Sequence, residues 1–215
     1  MGFILKYIGM PLGMWLIFKG SFQKALINVL AYSNDEANNI TNKAKIEYKR
    51  IIAKLPEFEK GDRFKMNIVS CAMFSSFCLC FEKLPEVDKL TEFYKQGMMN
   101  KAMKLFCKLS GKKKYTKADI ERLKKTELLK AADRNPYSWN MEFYPYEDNS
   151  GYECRFTKCG ICVLMKELGL QKAIRAMCRL DYTMAEEGGV TDFIRQYTIE
   201  SGGKYCDCGY KKKAN

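Results

Sequence analysis

At Asn135-Pro136 the hydrophobic pattern of the chain changes period, and that switch limits the folds open to it. Before it, apolar residues recur at helical spacing; after it, aromatic-rich and alternating runs read as strands. Pro136 stops a helix because it lacks an N–H and disfavours helical backbone at the residue before it. Helices followed by a strand-rich segment read as α+β. The 215 residues suffice for one sizeable core and are short for two, so residues 1–135 form the helical part and 136–215 the sheet-plus-helix part of one domain.

The helical part carries clear stop and start signals. Asn34 to Leu55 is a helix capped by Ser33 or Asn34, with Asp35 and Glu36 in its first turn and Pro56 at its end. Met66 to Phe81 is apolar nearly all round, which predicts a central buried helix whose Cys71, Cys78 and Cys80 pack as small hydrophobes. One helix is predicted over Glu86–Leu109. A basic loop follows, and then a polar helix capped by Thr116 that runs to about Arg134. The opening, residues 3–18, is apolar apart from Lys6. Its uninterrupted part is shorter than the ~20 residues that a bilayer span needs. It fits a helix packed on the body, a contact in a homodimer, or a peripheral membrane contact helped by Lys19 and Lys24.

Beyond Pro136, Tyr137–Tyr146 and Tyr152–Thr157 read as strands joined by a hairpin loop. A long helix follows over Gly160–Glu187, ended by Gly188-Gly189. Thr191–Ile199 and Lys204–Lys211 are two more strands. The expected architecture is an N-terminal helical layer packed on a four-stranded, mainly antiparallel sheet with a long crossing helix, the C-terminal unit being β-β-α-β-β.

The chain contains no histidine, which removes Ser-His-Asp triads, Cys-His pairs and every His-containing zinc site. Its net charge of +12 reads as a soluble lysine-rich surface. The run Lys112 to Lys114, with Lys124 and Lys125, lacks interleaved aromatics, so no nucleic-acid partner is expected. Ten cysteines without a typical signal peptide predict free thiols in a reducing cytoplasm, with peripheral membrane association left open by the apolar opening.

Six of those cysteines fall between Tyr152 and Tyr210: Cys154, Cys159, Cys162, Cys178, Cys206 and Cys208. Glu167, Cys178 and Asp181 are spaced 11 and 14 residues apart. A helix continuous through Gly169 would put them on one stripe, since each residue turns about 100°. A carboxylate near a thiol or a buried water can serve as a general base, its pKa raised by burial; the alternative is that Glu167 and Asp181 are helix-surface or strand-capping groups. On a strand, Cys206 and Cys208 point together and Asp207 points away. Cys159-x-x-Cys162 with Cys206-x-Cys208 would supply four thiolates to a metal, and a CxxC at a helix start suits a redox pair. The second pair lies on a strand and no thioredoxin-type βαβ pattern is present, so no metal or cofactor is expected.

The order Cys159, Glu167-Leu-Gly169, Cys178-x-x-Asp181, Arg195-x-x-Thr198, Gly202-Gly203 and Cys206-Asp207 resembles the L-2-amino-thiazoline-4-carboxylic acid hydrolase family. The helical front half, with YKRIIAKLPEF ahead of an apolar helix, is similar too. Cys208 departs from the pattern, which has an aromatic after the Cys-Asp pair. The resemblance implies hydrolysis of a cyclic amidine-like C=N–S centre, with 2-aminothiazoline-4-carboxylate opening to N-carbamoyl-cysteine. It implies Cys178 or Cys159 as nucleophile and Asp181 or Glu167 as base and acid. Arg195 would clamp the substrate carboxylate, with Thr198 and Cys206 completing the pocket. The competing expectation is a small-molecule-binding or sensor protein that kept the fold and the pocket without turnover.

Overall fold

A computed structural model describes residues 7–59 and 61–214 of the chain. Residues 3–6 of the apolar opening lie outside the described residues. The helices are α1 (Met10–Asn28), α2 (Asn34–Lys54), α3 (Lys65–Cys78), α4 (Val87–Met98), α5 (Lys101–Gly111), α6 (Lys117–Ala131), α7 (Gly160–Glu167) and α8 (Ile174–Gly188). The strands are β1 (Asn140–Pro145), β2 (Gly151–Lys158), β3 (Thr191–Ile194) and β4 (Cys206–Lys212). The fold is α+β, and the sheet is antiparallel throughout in the order β1-β2-β4-β3.

Local chemistry explains the helical layer. Ser33 and Glu36 form a reciprocal capping box: the Glu36 N–H donates to Ser33 Oγ at 3.3 Å, and the Ser33 N–H to Glu36 Oε2 at 2.8 Å. Thr116 caps α6 by accepting from the Asp119 N–H at 3.2 Å. Pro11 falls in the first turn of α1, where a missing N–H costs nothing. One face of α1 buries Trp15, Phe18, Phe22 and Leu26. No described helix is long and apolar enough to cross a membrane. From Ile68 onward every residue of α3 is buried, and Phe77 stacks on Phe22 at 4.9 Å between centroids. Such aromatic pairs add to plain area burial.

Two predicted helices are each broken in two. The segment expected as Glu86–Leu109 ends at Met98 and restarts at Lys101. Asn100 causes the break: its side-chain oxygen caps α5 through the Met103 N–H at 3.1 Å, and its amide donates to the Ile17 carbonyl at 3.0 Å. Asparagine competes for backbone groups, which favours a cap over a helix interior. The segment expected as Gly160–Glu187 breaks at Leu168-Gly169, where Gly169 takes φ +72°. A 3₁₀ turn, Gln171–Ala173, then leads into α8. The predicted strands Tyr137–Tyr146, Thr191–Ile199 and Lys204–Lys211 shorten or shift to the ranges given above.

One contiguous core runs from α1 to α8 and under the sheet. The inner sheet face is set by register: Met141, Phe156 and Cys206 form one row, Phe143, Cys154 and Cys208 the next, then Tyr152 and Tyr210. Helix α8 packs on α4, α5 and β3. Contact is closest at its end, where a Cβ on Gly111 would meet the Gly188 carbonyl at 2.4 Å.

Candidate functional site

Between the inner sheet face, α8 and the ends of α3, α5 and α6 lies a cavity of ≈ 520 Å³. Cys159, Cys178, Asp181, Arg195 and Cys206 all line it, as do Cys154, Cys208 and Lys114. Residues 177, 178, 180, 181, 184, 185 and 188 of α8 line it, recurring at helical spacing.

Asp181 and Arg195 are its central charged pair. Arg195 Nη1 donates to Asp181 Oδ2 at 2.7 Å, and Nη2 donates to the Cys178 carbonyl at 2.6 Å. Nη1 also approaches Cys208 Sγ at 4.0 Å. The Arg195 side chain is 7% accessible. The 46% accessibility of Asp181 is surface turned to the cavity it lines, while protein atoms crowd it at longer range. Burial pushes the Asp181 carboxyl above its usual range, against the opposing pull of Arg195. Burial tends to lower the Arg195 pKa, but the Asp181 carboxylate beside it outweighs that, so Arg195 stays charged.

The thiols are held protonated. Burial raises Cys178 and Cys208 strongly, with the Asp181 charge adding to it, and pushes Cys206 up to about 11 and Cys154 up to about 12. Cys159 is raised first by its hydrogen bond with Cys162 and then by burial. All ten cysteines are free. No group of three or more His, Cys, Asp or Glu side chains that could hold a metal occurs among the described residues.

The break at Gly169 takes Glu167 out of the predicted stripe. Glu167 Oε2 instead accepts from the Tyr137 hydroxyl at 2.6 Å on the surface. A surface pair of this kind is worth roughly 0–1 kcal/mol. Glu167→Gln is therefore expected to leave kcat/KM within about threefold and the urea midpoint almost unchanged, which a parallel activity and denaturation assay checks.

Thr198 also lies off the cavity. Its backbone and hydroxyl fold the turn after Arg195: the Thr198 carbonyl accepts from the Ser201 and Gly203 N–H groups at 3.1 and 2.9 Å. Asp207, on the outer face, accepts from the Gln196 and Tyr197 N–H groups at 2.9 and 3.0 Å. Cys206 Sγ accepts from the Ile199 N–H at 3.3 Å. These three residues fix the loop that aims Arg195 inward.

Sequence reasoning missed Lys114. Nothing in the run Lys112-Lys113-Lys114 separates its members. The turn closing α5, with Lys113 N–H to Ser110 and Lys114 N–H to Gly111, sends only Lys114 into the cavity. Its Nζ sits 3.8 Å from the Tyr210 ring centroid and pairs with no carboxylate among the described residues. Burial lowers its pKa to about 8. An anionic ligand held by Lys114 should bind more weakly as pH rises through about 8, because the ammonium loses its proton there. Titration of ligand Kd from pH 6 to 9.5 checks this; an unchanged Kd would remove Lys114 from the binding site.

The family model described as L-2-amino-thiazoline-4-carboxylic acid hydrolase matches residues 66–210. That stretch holds every lining residue of the cavity except Arg63 and Phe64. The chain belongs to the L-2-amino-thiazoline-4-carboxylic acid hydrolase family. The family name points to hydrolase chemistry. No similar curated protein and no similar solved structure was found. Within this hydrolase family match, Cys159, Cys178, Asp181, Arg195 and Cys206 converge on one cavity, and Glu167 and Thr198 do not.

Proposed function

We propose that the cavity hydrolyses a small cyclic amidine carboxylate such as L-2-aminothiazoline-4-carboxylate to N-carbamoyl-cysteine. The observation that carries this is the Asp181–Arg195 pair facing a cavity that holds a second, carboxylate-free cation at Lys114. The substrate has matching ends: a basic amidine for Asp181 and a carboxylate for Lys114.

The chemistry follows from those placements. Water adds to C2 of the ring while Asp181 takes one of its protons. The tetrahedral centre then collapses: C2 becomes a urea carbonyl as its hydroxyl proton leaves to solvent, the ring nitrogen keeps the proton that it carried in the amidinium, the C2–S bond breaks, and the proton on Asp181 passes to the departing sulfur. A carboxyl whose pKa burial holds above its usual range suits both transfers. Arg195 holds Asp181 in place, so its guanidinium positions the base and leaves the substrate carboxylate to Lys114. Cys178 and Cys206 are protonated walls in this scheme, and a thiol attack would first need Asp181 to deprotonate Cys178. The protonated thiols are also what favours the second reading, a binding protein without turnover.

The test is incubation of purified protein with L-2-aminothiazoline-4-carboxylate under reducing conditions, followed by mass spectrometry. N-carbamoyl-cysteine should accumulate in proportion to enzyme. Tight binding without product would replace the hydrolase by the binding protein.

A further inference from the structure

The cavity is larger and more apolar than an aminothiazoline carboxylate requires. Cavities of about 300–1,000 Å³ bury drug-sized ligands, and this one holds ≈ 520 Å³. Six of the twelve methionines line it: Met66, Met98, Met103, Met141, Met177 and Met184. Methionine is flexible and polarizable, and it is over-used where a surface must fit varied apolar shapes.

Strand register orders the two ends. Tyr152 and Tyr210 form one inner row, with Lys114 over the Tyr210 ring. Phe156 and Cys206 form the far row, four residues along β2. Four strand residues span about 13 Å. At that far row Phe64 stacks on Trp139 at 5.2 Å and meets Phe156 edge-on at 5.9 Å. The Cys154–Cys208 row lies between, with Arg195 Nη1 beside Cys208. Both lining carboxylates are already paired, Asp181 with Arg195 and Asp119 with Arg122. The charge left over is positive: Lys114, and the exposed Arg63.

We propose that the ligand is an amphipathic carboxylate, with its head at Lys114, the reacting centre near Asp181 and Arg195, and an apolar chain or ring system reaching toward Phe64 and Trp139, about 13 Å in all. The inference rests on the reading of this cavity as the substrate site, and it deepens that reading by naming the substrate class.

Straight-chain carboxylates from butyrate to dodecanoate, titrated by calorimetry, test it on the wild-type protein. Affinity should rise roughly fourfold per methylene and level off once the chain reaches about 13 Å, near decanoate. A flat series, or a rise with no plateau, overturns the proposal. Orientation is read from Trp139, isolated by Trp15→Phe in the distant helical core. Decanoate brominated at its terminal carbon should quench Trp139 fluorescence, and decanoate brominated beside the carboxylate should not. Equal quenching by both overturns it. Lys114→Gln should lower decanoate affinity about tenfold and abolish the preference for decanoate over decanol; a preference that survives also overturns it. Turnover of the small ring with a flat binding series would sink this inference alone, while a length-dependent series without turnover would sink only the hydrolase.

Discussion

Asp181→Asn is expected to lower kcat for L-2-aminothiazoline-4-carboxylate by about a hundredfold to ten-thousandfold, the range for removing a general acid–base group. The amide keeps an oxygen that can accept from Arg195 Nη1, now 2.7 Å from the carboxylate, so the fold should survive. The loss should appear mainly in kcat, because Lys114 still holds the substrate carboxylate. In the wild type, activity should fall as pH drops through the Asp181 pKa. Burial raises that pKa, so the acid limb should lie above the usual carboxylate range. Full activity in the folded variant would remove Asp181 from the chemistry. An acid limb at an ordinary carboxylate pKa would remove its burial from the account.

Lys130→Ala should destabilise the protein by about 3–5 kcal/mol, the cost of breaking a buried ion pair by removing one partner. Lys130 Nζ donates to Asp62 Oδ2 and Asp133 Oδ2, each at 2.5 Å, and to Ser138 Oγ at 2.8 Å. The Lys130 and Asp62 side chains are 8% and 4% accessible, so the substitution strands a buried carboxylate. Urea denaturation of wild type and variant measures the difference; a loss below about 1 kcal/mol would mean that water reaches the network. The pH dependence has a defined sign. Burial opposes ionisation of Asp133, but hydrogen bonds from Lys130, Ser138 and the Asn135 N–H hold its carboxyl below the usual range. Its contribution is therefore full above the ordinary carboxylate pKa and lost as pH falls through the lowered one. Burial would lower the Lys130 pKa, yet Asp133 and Asp62 raise it. Its contribution holds below the ordinary lysine pKa and is lost as pH rises through the raised one. The same network reaches the cavity, because Asp62 Oδ1 accepts from the N–H of Phe64, which stacks on Trp139. Loss of Lys130 should thus also weaken ligand binding.

Much of this protein was legible in its sequence. The period switch at Pro136 separates helices from sheet, and the caps at Ser33 and Thr116 form as their spacing requires. Those signals are local: a cap satisfies backbone groups within one turn, and alternation follows from strand geometry alone. The two-residue period also puts Cys206 and Cys208 on one face and Asp207 on the other, but only the packed sheet turns the cysteine face inward. Cys178 and Asp181 sit one helical turn apart, so their shared face needed no tertiary information.

Tertiary structure decided the rest. Gly169 could continue a helix or break it, and its positive φ turned Glu167 to the surface. Asn100 could lie within a helix or cap one, and the Ile17 carbonyl on α1 provides the partner for its amide. Arg195 could clamp a ligand or hold a protein carboxylate, and only the docking of β3 against α8 brought it to Asp181. Lys114 has the same chemistry and the same local setting as Lys112 and Lys113. Which of three neighbouring lysines enters a cavity depends on the angle at which α5 meets α6 and the sheet, and contacts between distant segments set that angle.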